Sequence, residues 1–327
     1  MGRPLIRIST HRSPTIKALT YQQFGNADQL QIADAPEPVP PEDGVVVAMQ
    51  ASSLNVIDIR SLKGLMAPFV NGKFPKIPGT DIAGIVTATG SKARKFKIGD
   101  RVFGATNAFR GGAFAEYVAV PESALTFVPE FLKVEEAAAL PTTGLAALYA
   151  LRDLGRLKSG NRALIYGSSG AAGLFAIQIA KALGAETTTV SGTAGAAASK
   201  ALGADDVIDY KSGPVAPRGK FDVIVDFSGN FPFAVARQHL TRAGRFIEAS
   251  PSIPKFIGSL LANPFRAQKH LMLQTVARTV DLDYLVSLVQ QGQLKVTIAK
   301  VFPLDQAKQA FLDHERGGIV GKIAITA

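Results

Sequence analysis

Cysteine is absent from the 327 residues. That absence excludes disulfides, thiolate metal sites and cysteine catalysis together. Histidine is scarce: His11, His239, His270 and His314 have no ligand-like neighbour at helical or hairpin spacing, so each reads as a surface or packing residue. No run of about eighteen purely apolar residues occurs, so no transmembrane helix is expected. The most apolar stretch, 137–151, is interrupted by Pro141 and Gly144 and reads as a buried hinge and helix. At the start of the chain, Arg3, Arg7 and Arg12 precede no apolar core, so a secretory signal is not expected. A short transit peptide is the alternative, because the extension before Ile16 is basic and lacks acids. A cytoplasmic address is expected.

What is present suits two packed domains: the length, and a hydrophobic share of 47%. The run from Asn161 to Phe175 reads as a buried strand, a glycine turn and then a helix. That order offers backbone N–H groups and a helix N-terminus to an anion, ordinarily a dinucleotide pyrophosphate. The glycines are spaced G-x-x-G-x-x-G at Gly167, Gly170 and Gly173, a variant of the usual fingerprint. The following helix is apolar nearly all round (Leu174, Phe175, Ile177, Ile179, Leu183) and Gly184 closes it. Strands are expected at 187–190, 207–210, 221–226 and 245–248, alternating with helical segments. Such alternation predicts an α/β fold with a doubly wound parallel sheet of Rossmann type. A serine-hydrolase elbow is a poor fit, because Ala171 stands where Gly167-Ser168-Ser169-Gly170 would need a further glycine.

Before Pro141 short strand-like runs recur between Pro and Gly, at 44–49, 82–87, 100–103 and 115–120, as in a small barrel or sandwich. The end returns to strands at 300–302 and 322–326 around an amphipathic helix over 304–315. The division expected is therefore a β-rich domain of residues 1–140 and 282–327, enclosing a dinucleotide domain of residues 141–281. Net charge is +10, which either marks a solvated surface or attracts a polyanion: a phosphorylated cofactor, a membrane surface or nucleic acid. No aromatic–basic motif accompanies the cluster Lys92, Arg94, Lys95, Lys97 and Arg101, so nucleic acid is not the expected partner. Peripheral contact with an anionic membrane stays open.

Ordered motifs along nearly the whole chain resemble the zinc-free medium-chain dehydrogenase/reductases of quinone oxidoreductase type. They are Ala51-Ser52-Ser53-Leu54-Asn55-Val56-Ile57-Asp58, Pro78-Gly79-Thr80-Asp81-Ile82-Ala83-Gly84, Gly99-Asp100-Arg101-Val102-Phe103-Gly104, Gly112-Ala113-Phe114-Ala115-Glu116-Tyr117, Glu136-Ala137-Ala138-Ala139-Leu140-Pro141, the glycine turn, Leu202-Gly203-Ala204-Asp205 and Gly321-Lys322. The resemblance implies a GroES-like substrate domain, a Rossmann domain and a cleft between them, with homodimers common. It also implies a small-molecule quinone or enone as substrate. Zinc relatives use cysteines, histidine and an acid; here Thr80-Asp81 stands where a His-Glu pair would be, so no zinc is expected.

The site residues that follow are these. Gly167, Gly170 and Gly173 border the pyrophosphate, with Ser168, Ser169, Ala171 and Ala172 offering backbone N–H groups. After the second strand, Val190-Ser191-Gly192-Thr193 holds no acid, which favours NADP(H) over NAD(H). The resemblance's usual basic residue is replaced in Ala194-Gly195-Ala196, leaving Ser191, Thr193, Lys200 and Tyr210 for the adenosine end. Asn55, Asp58 and Arg60 fall on the cleft motif. Asn55 is the candidate hydrogen-bond donor to cofactor or substrate. Asp58 either orients Arg60 or Lys63 or caps a helix. Arg60 stands where many relatives carry an aromatic. Thr143 lies in the hinge, Ser228 and Gly229 end the fourth strand, and Lys322 is either a phosphate ligand or a solvated lysine. Substrate choice is assigned to loops over 65–76 and 253–273. The rival function is an NADP-binding protein with little turnover.

Overall fold

The computed structural model describes residues 15–68, 73–249 and 253–327. The basic N-terminal extension, with its arginines and His11, and part of the 65–76 loop lie outside the described residues.

Apolar strands separated by turns build the first layer. β1 (Thr15–Thr20) and β2 (Gln31–Pro36) form an antiparallel ribbon. β3 (Gly44–Ser53), followed by α1 (Val56–Leu62), then β4 (Asp81–Thr89), β5 (Arg101–Ala105), β6 (Tyr117–Pro121) and β7 (Leu125–Phe127) belong to a larger sheet. Val45, Val47, Ile82, Val86 and Val102 are fully buried in its core. α2 (Val134–Ala139) and α3 (Pro141–Leu148) lead out of it. Pro141 opens α3 at its first position, where a missing N–H costs nothing.

Strand and helix then alternate: β8 (Arg162–Tyr166), α4 (Ala171–Ala182), β9 (Glu186–Ser191), α5 (Thr193–Ala201), β10 (Asp206–Asp209), β11 (Phe221–Asp226), α6 (Phe233–Ala236), β12 (Leu240–Glu248), α7 (Ile253–Ala262) and β13 (Lys269–Met272). All six strands are parallel, in the order β10-β9-β8-β11-β12-β13. Numbered within the sheet, that order reads 3-2-1-4-5-6, the dinucleotide-binding arrangement with its switch point between β8 and β11. Ala163, Leu164 and Ile165 are buried on both faces, as helix-covered parallel strands must be. Leu174, Phe175, Ile177 and Ile179 of α4 are buried too, each contributing about 1.5–3 kcal/mol by leaving water. After α8 (Thr279–Gln290), the chain returns to the first sheet with β14 (Ile298–Pro303), α9 (Ala307–Arg316) and β15 (Lys322–Thr326), β15 pairing with β3.

The GroES-like layer and the Rossmann-type sheet are thus both present. One expectation is corrected: 253–273 is not a loop but holds α7 and the edge strand β13.

Candidate active site

β8 delivers the chain into the glycine turn at the switch point. Gly167 takes φ +80, and a Cβ there would lie 2.9 Å from the Ser228 nitrogen, so the turn after β8 and the turn after β11 touch. A Cβ on Gly173 would meet Ser168 Cα at 2.5 Å, which holds α4 hard against the turn. Gly170 differs from both. It caps α4 at φ −71, an ordinary conformation, and a Cβ would find only the Gly167 carbonyl oxygen, at 3.8 Å. Internal packing therefore does not demand glycine at this position. No side chain caps α4, which leaves the amides of Ala171, Ala172 and Gly173 for a ligand. Ser169, Ala171 and Ala172 are half-buried around this opening, while the Ser168 hydroxyl is buried and pairs with that of Ser199 at 2.9 Å. Across the crevice, Asp226 accepts from the N–H groups of Ser228 (2.8 Å), Gly229 (3.0 Å) and Phe231 (2.9 Å), shaping that turn. Ser228 and Gly229 stay exposed.

The end of β9 carries a second cradle. Ser191 is buried and its hydroxyl has no hydrogen-bond partner. A Cβ on Gly192 would sit 3.2 Å from the Tyr210 hydroxyl and 3.7 Å from Lys211 Cγ. The Lys211 ammonium lies 5.6 Å from the Tyr210 ring centroid. Thr193 opens α5 and hydrogen-bonds Asp209. Lys200 is in the last turn of α5, about 10 Å of helix away from that opening. The basic residue beside Gly192 is therefore Lys211, which sequence reasoning missed; its position next to Tyr210 was the available signal. Open space over Gly170, an α4 N-terminus without a side-chain cap and an orphaned buried hydroxyl together fit a dinucleotide.

Between the two sheets lies a buried polar cluster. Asp81, at the start of β4, is wholly buried. One of its oxygens accepts from the Thr142 N–H (2.9 Å) and hydroxyl (2.6 Å) on α3. The other accepts from the Ser53 hydroxyl (2.6 Å), the Asn55 amide (2.9 Å) and the Lys322 ammonium (3.5 Å). Lys322 is 2% exposed and donates also to the Leu54 carbonyl (3.0 Å) and the Asn55 side-chain oxygen (2.7 Å). Burial pulls its ammonium below the usual lysine value, against the pull of Asp81 and Asp58. Lys322 is thus neither solvated nor offered to a phosphate, although its neighbour Gly321 forms a parallel bridge with Gly170 of the glycine turn. The Asn55 amide group is likewise engaged, to Ser53 (3.1 Å) and Asp81, so it has no free N–H for a substrate. Thr143 turns its hydroxyl back onto the Ala139 carbonyl (3.1 Å), and half-buried Arg60 ends α1. Asp81 and Thr142, neither assigned to the site from sequence, hold this cluster together; a carboxylate leading an otherwise apolar strand was the signal.

Asp58 caps α1. It accepts from the Asn55 N–H (2.8 Å) and the Thr80 hydroxyl (2.6 Å). Burial pushes its carboxyl from 3.8 up to about 7, beyond what these donors hold down. Below the lower value, folded and unfolded chains both keep the proton. Between the two values only the folded chain does, so its stability should fall as pH rises through that window, by on the order of 4 kcal/mol. Urea unfolding at pH 4.5, 6 and 8 should show that Asp58→Asn flattens this slope; equal slopes in variant and parent would refute the assignment.

The GroES-like model of alcohol dehydrogenases matches residues 41–130, and the zinc-binding dehydrogenase model matches 202–325. The chloroplast envelope quinone oxidoreductase homolog of Arabidopsis thaliana is 34% identical over 320 residues, covering 94% of this chain and 97% of that protein. The chain belongs to the quinone oxidoreductase family. In structure, this family member resembles the quinone oxidoreductase from Coxiella burnetii at TM-score 0.88 and 28% identity, over 96% and 100% of the two chains. It also resembles the Escherichia coli quinone oxidoreductase complexed with NADPH, at TM-score 0.83 and 25% identity over 95% and 100%. The second model's name raises zinc, and the residues do not suit it. Neither thiolate nor imidazole joins Asn55, Thr80 and Asp81, and the Lys322 ammonium already neutralises Asp81. Among the described residues, no three His, Cys, Asp or Glu side chains converge, and no helix is long and apolar enough to cross a membrane.

Proposed function

We propose that the chain is an NADPH-dependent reductase of quinones or α,β-unsaturated carbonyls that needs no zinc and acts as a cytoplasmic homodimer. The single observation that carries the cofactor half is the uncapped N-terminus of α4 beneath the open space at Gly170. The α4 amides and helix dipole would hold the pyrophosphate. The Ser191 hydroxyl, Tyr210 and the Lys211 ammonium would hold the 2′-phosphate, and no acid at the end of β9 repels it. When bound, the nicotinamide supplies a hydride to an electron-poor acceptor. The chain's own work is positioning. Asp81 ties α3 to β3, α1 and β15, and Lys322 with Asp81 fixes the Asn55 carboxamide, so Asn55 acts as a positioning residue. Asp58 supports the same corner through the Asn55 N–H.

The domain division we propose follows the sheets, with the first boundary at Pro141 and the second inside α8. Support for a homodimer is the edge of β13, which among the described residues pairs only with β12. The engaged Asn55 amide favours one rival, a dinucleotide-binding protein with little turnover. NADPH consumption with a panel of quinones and enones separates the two: binding without consumption for every acceptor would overturn the reductase reading. On the cofactor side, Lys211→Ala should weaken NADPH binding about tenfold, or ~1.4 kcal/mol, and leave NADH unchanged. An equal loss for both nucleotides in calorimetric titration would remove Lys211 from the phosphate site.

A further inference from the structure

α7 is turned inside out for a helix on a water-soluble protein. Phe256, Ile257, Leu260 and Leu261 fall at i, i+1, i+4 and i+5 on one stripe and are 39, 51, 64 and 68% exposed. Among its described side chains the buried one is Ser259, whose hydroxyl donates to the Phe256 carbonyl. Phe265, in the tight turn Asn263–Phe265 that follows, is 91% exposed. A contiguous apolar stripe of this kind marks a contact surface.

Charge around the stripe says what it contacts. Residues 227–277 carry six basic side chains (Arg237, Arg242, Arg245, Lys255, Arg266 and Lys269) and one acid, and so half of the chain's net +10. The acid, Glu248, is buried and bonded to Lys255 (2.6 Å) and His270 (3.0 Å). Arg266 directly follows Phe265, and Lys269 donates to the carbonyls of Asn263 and Arg266. Gln268 donates to the carbonyls of Arg237 and Thr241, which brings exposed Arg237 and Arg242 to the same rim.

We propose that α7 and the 263–265 turn dock on an anionic lipid bilayer, with the apolar stripe entering the acyl boundary and Arg237, Arg242 and Arg266 meeting headgroup phosphates. An apolar stripe rimmed by uncompensated positive charge is the pattern of interfacial helices. A second copy stacked on the stripe fits worse than one across the β13 edge, because a two-fold contact there would set the same positive rim against itself. α7 leaves the carboxyl end of β12, on the ligand-binding edge of the sheet. It runs back to the opposite end, where Gln268 ties the chain beyond the 263–265 turn to Arg237 and Thr241 at the start of β12, so the arginine rim lies away from that edge.

The test is sedimentation of the full chain with phosphatidylcholine vesicles, with and without phosphatidylglycerol. Binding to the anionic vesicles at low ionic strength, with release by salt, is expected. The double variant Leu260→Asp, Leu261→Asp should lose at least about tenfold in partitioning while keeping its melting temperature and its NADPH affinity. Arg237→Gln with Arg242→Gln, which spares the apolar stripe, should weaken binding to anionic vesicles only. Absence of the chain from the anionic pellet at low salt would overturn the proposal. So would equal binding by parent and aspartate variant, or an aspartate variant that changes the sedimentation-equilibrium mass but not the lipid binding.

Discussion

Lys322→Met should lower the unfolding free energy by about 3–5 kcal/mol, because Asp81 is left as a buried carboxylate without its cation. Lys322 is 2% exposed and Asp81 wholly buried, so water cannot take the lost partner's place. The side chain of methionine fills similar volume, so packing contributes little to the difference. Adding Asp81→Asn to that variant should restore part of the loss, since the double variant buries no charge. Its remaining deficit measures the bonds from Thr142, Ser53 and Asn55 that an amide accepts less well. Urea unfolding near neutral pH reads both numbers. A single variant within about 1 kcal/mol of the parent, or a double variant weaker than the sum of the single ones, would contradict an ionic cluster between the two sheets.

The second large effect has opposite signs for stability and binding. Gly170→Asp puts a helix-capping carboxylate on an N-terminus that has no side-chain cap, at a φ that aspartate adopts without strain. Stability should hold or rise by a few tenths of a kcal/mol, with help from the helix dipole. NADPH affinity should nevertheless fall by at least about a hundredfold, or ~3 kcal/mol, because the carboxylate fills and repels the pyrophosphate position. Thermal melting and calorimetric titration of the same sample report the pair. A stable variant that still binds NADPH as the parent does would place the pyrophosphate elsewhere.

Local chemistry made much of this legible in sequence. β8, the glycine turn and α4 declare themselves through a continuous apolar strand, a turn of small residues and an apolar helix closed by Gly184. Edge strand β13 did not: Lys269-His270-Leu271-Met272 has weak alternation, and only His270 and Met272 are buried. α7 was hidden for a related reason, because Phe256, Ile257, Leu260 and Leu261 face outward and do not join the core that periodicity points to. The Lys322–Asp81 contact is a product of register. Ala324 pairs with Ser53 and Ala83 with Ala51, so β15 and β4 flank the same end of β3 and bring together residues far apart in the chain. Lys200 and Lys211 show the same limit at the adenosine end. One lies at the far end of α5, and the other follows Tyr210 back to where α5 begins.

Amide hydrogen exchange with and without saturating NADPH tests the central claim most directly. Slowed exchange is expected at residues 167–173, 191–193 and 210–211, with the amides of α7 unaffected. Unchanged exchange across the glycine turn, with the nucleotide bound, would contradict dinucleotide binding at this site.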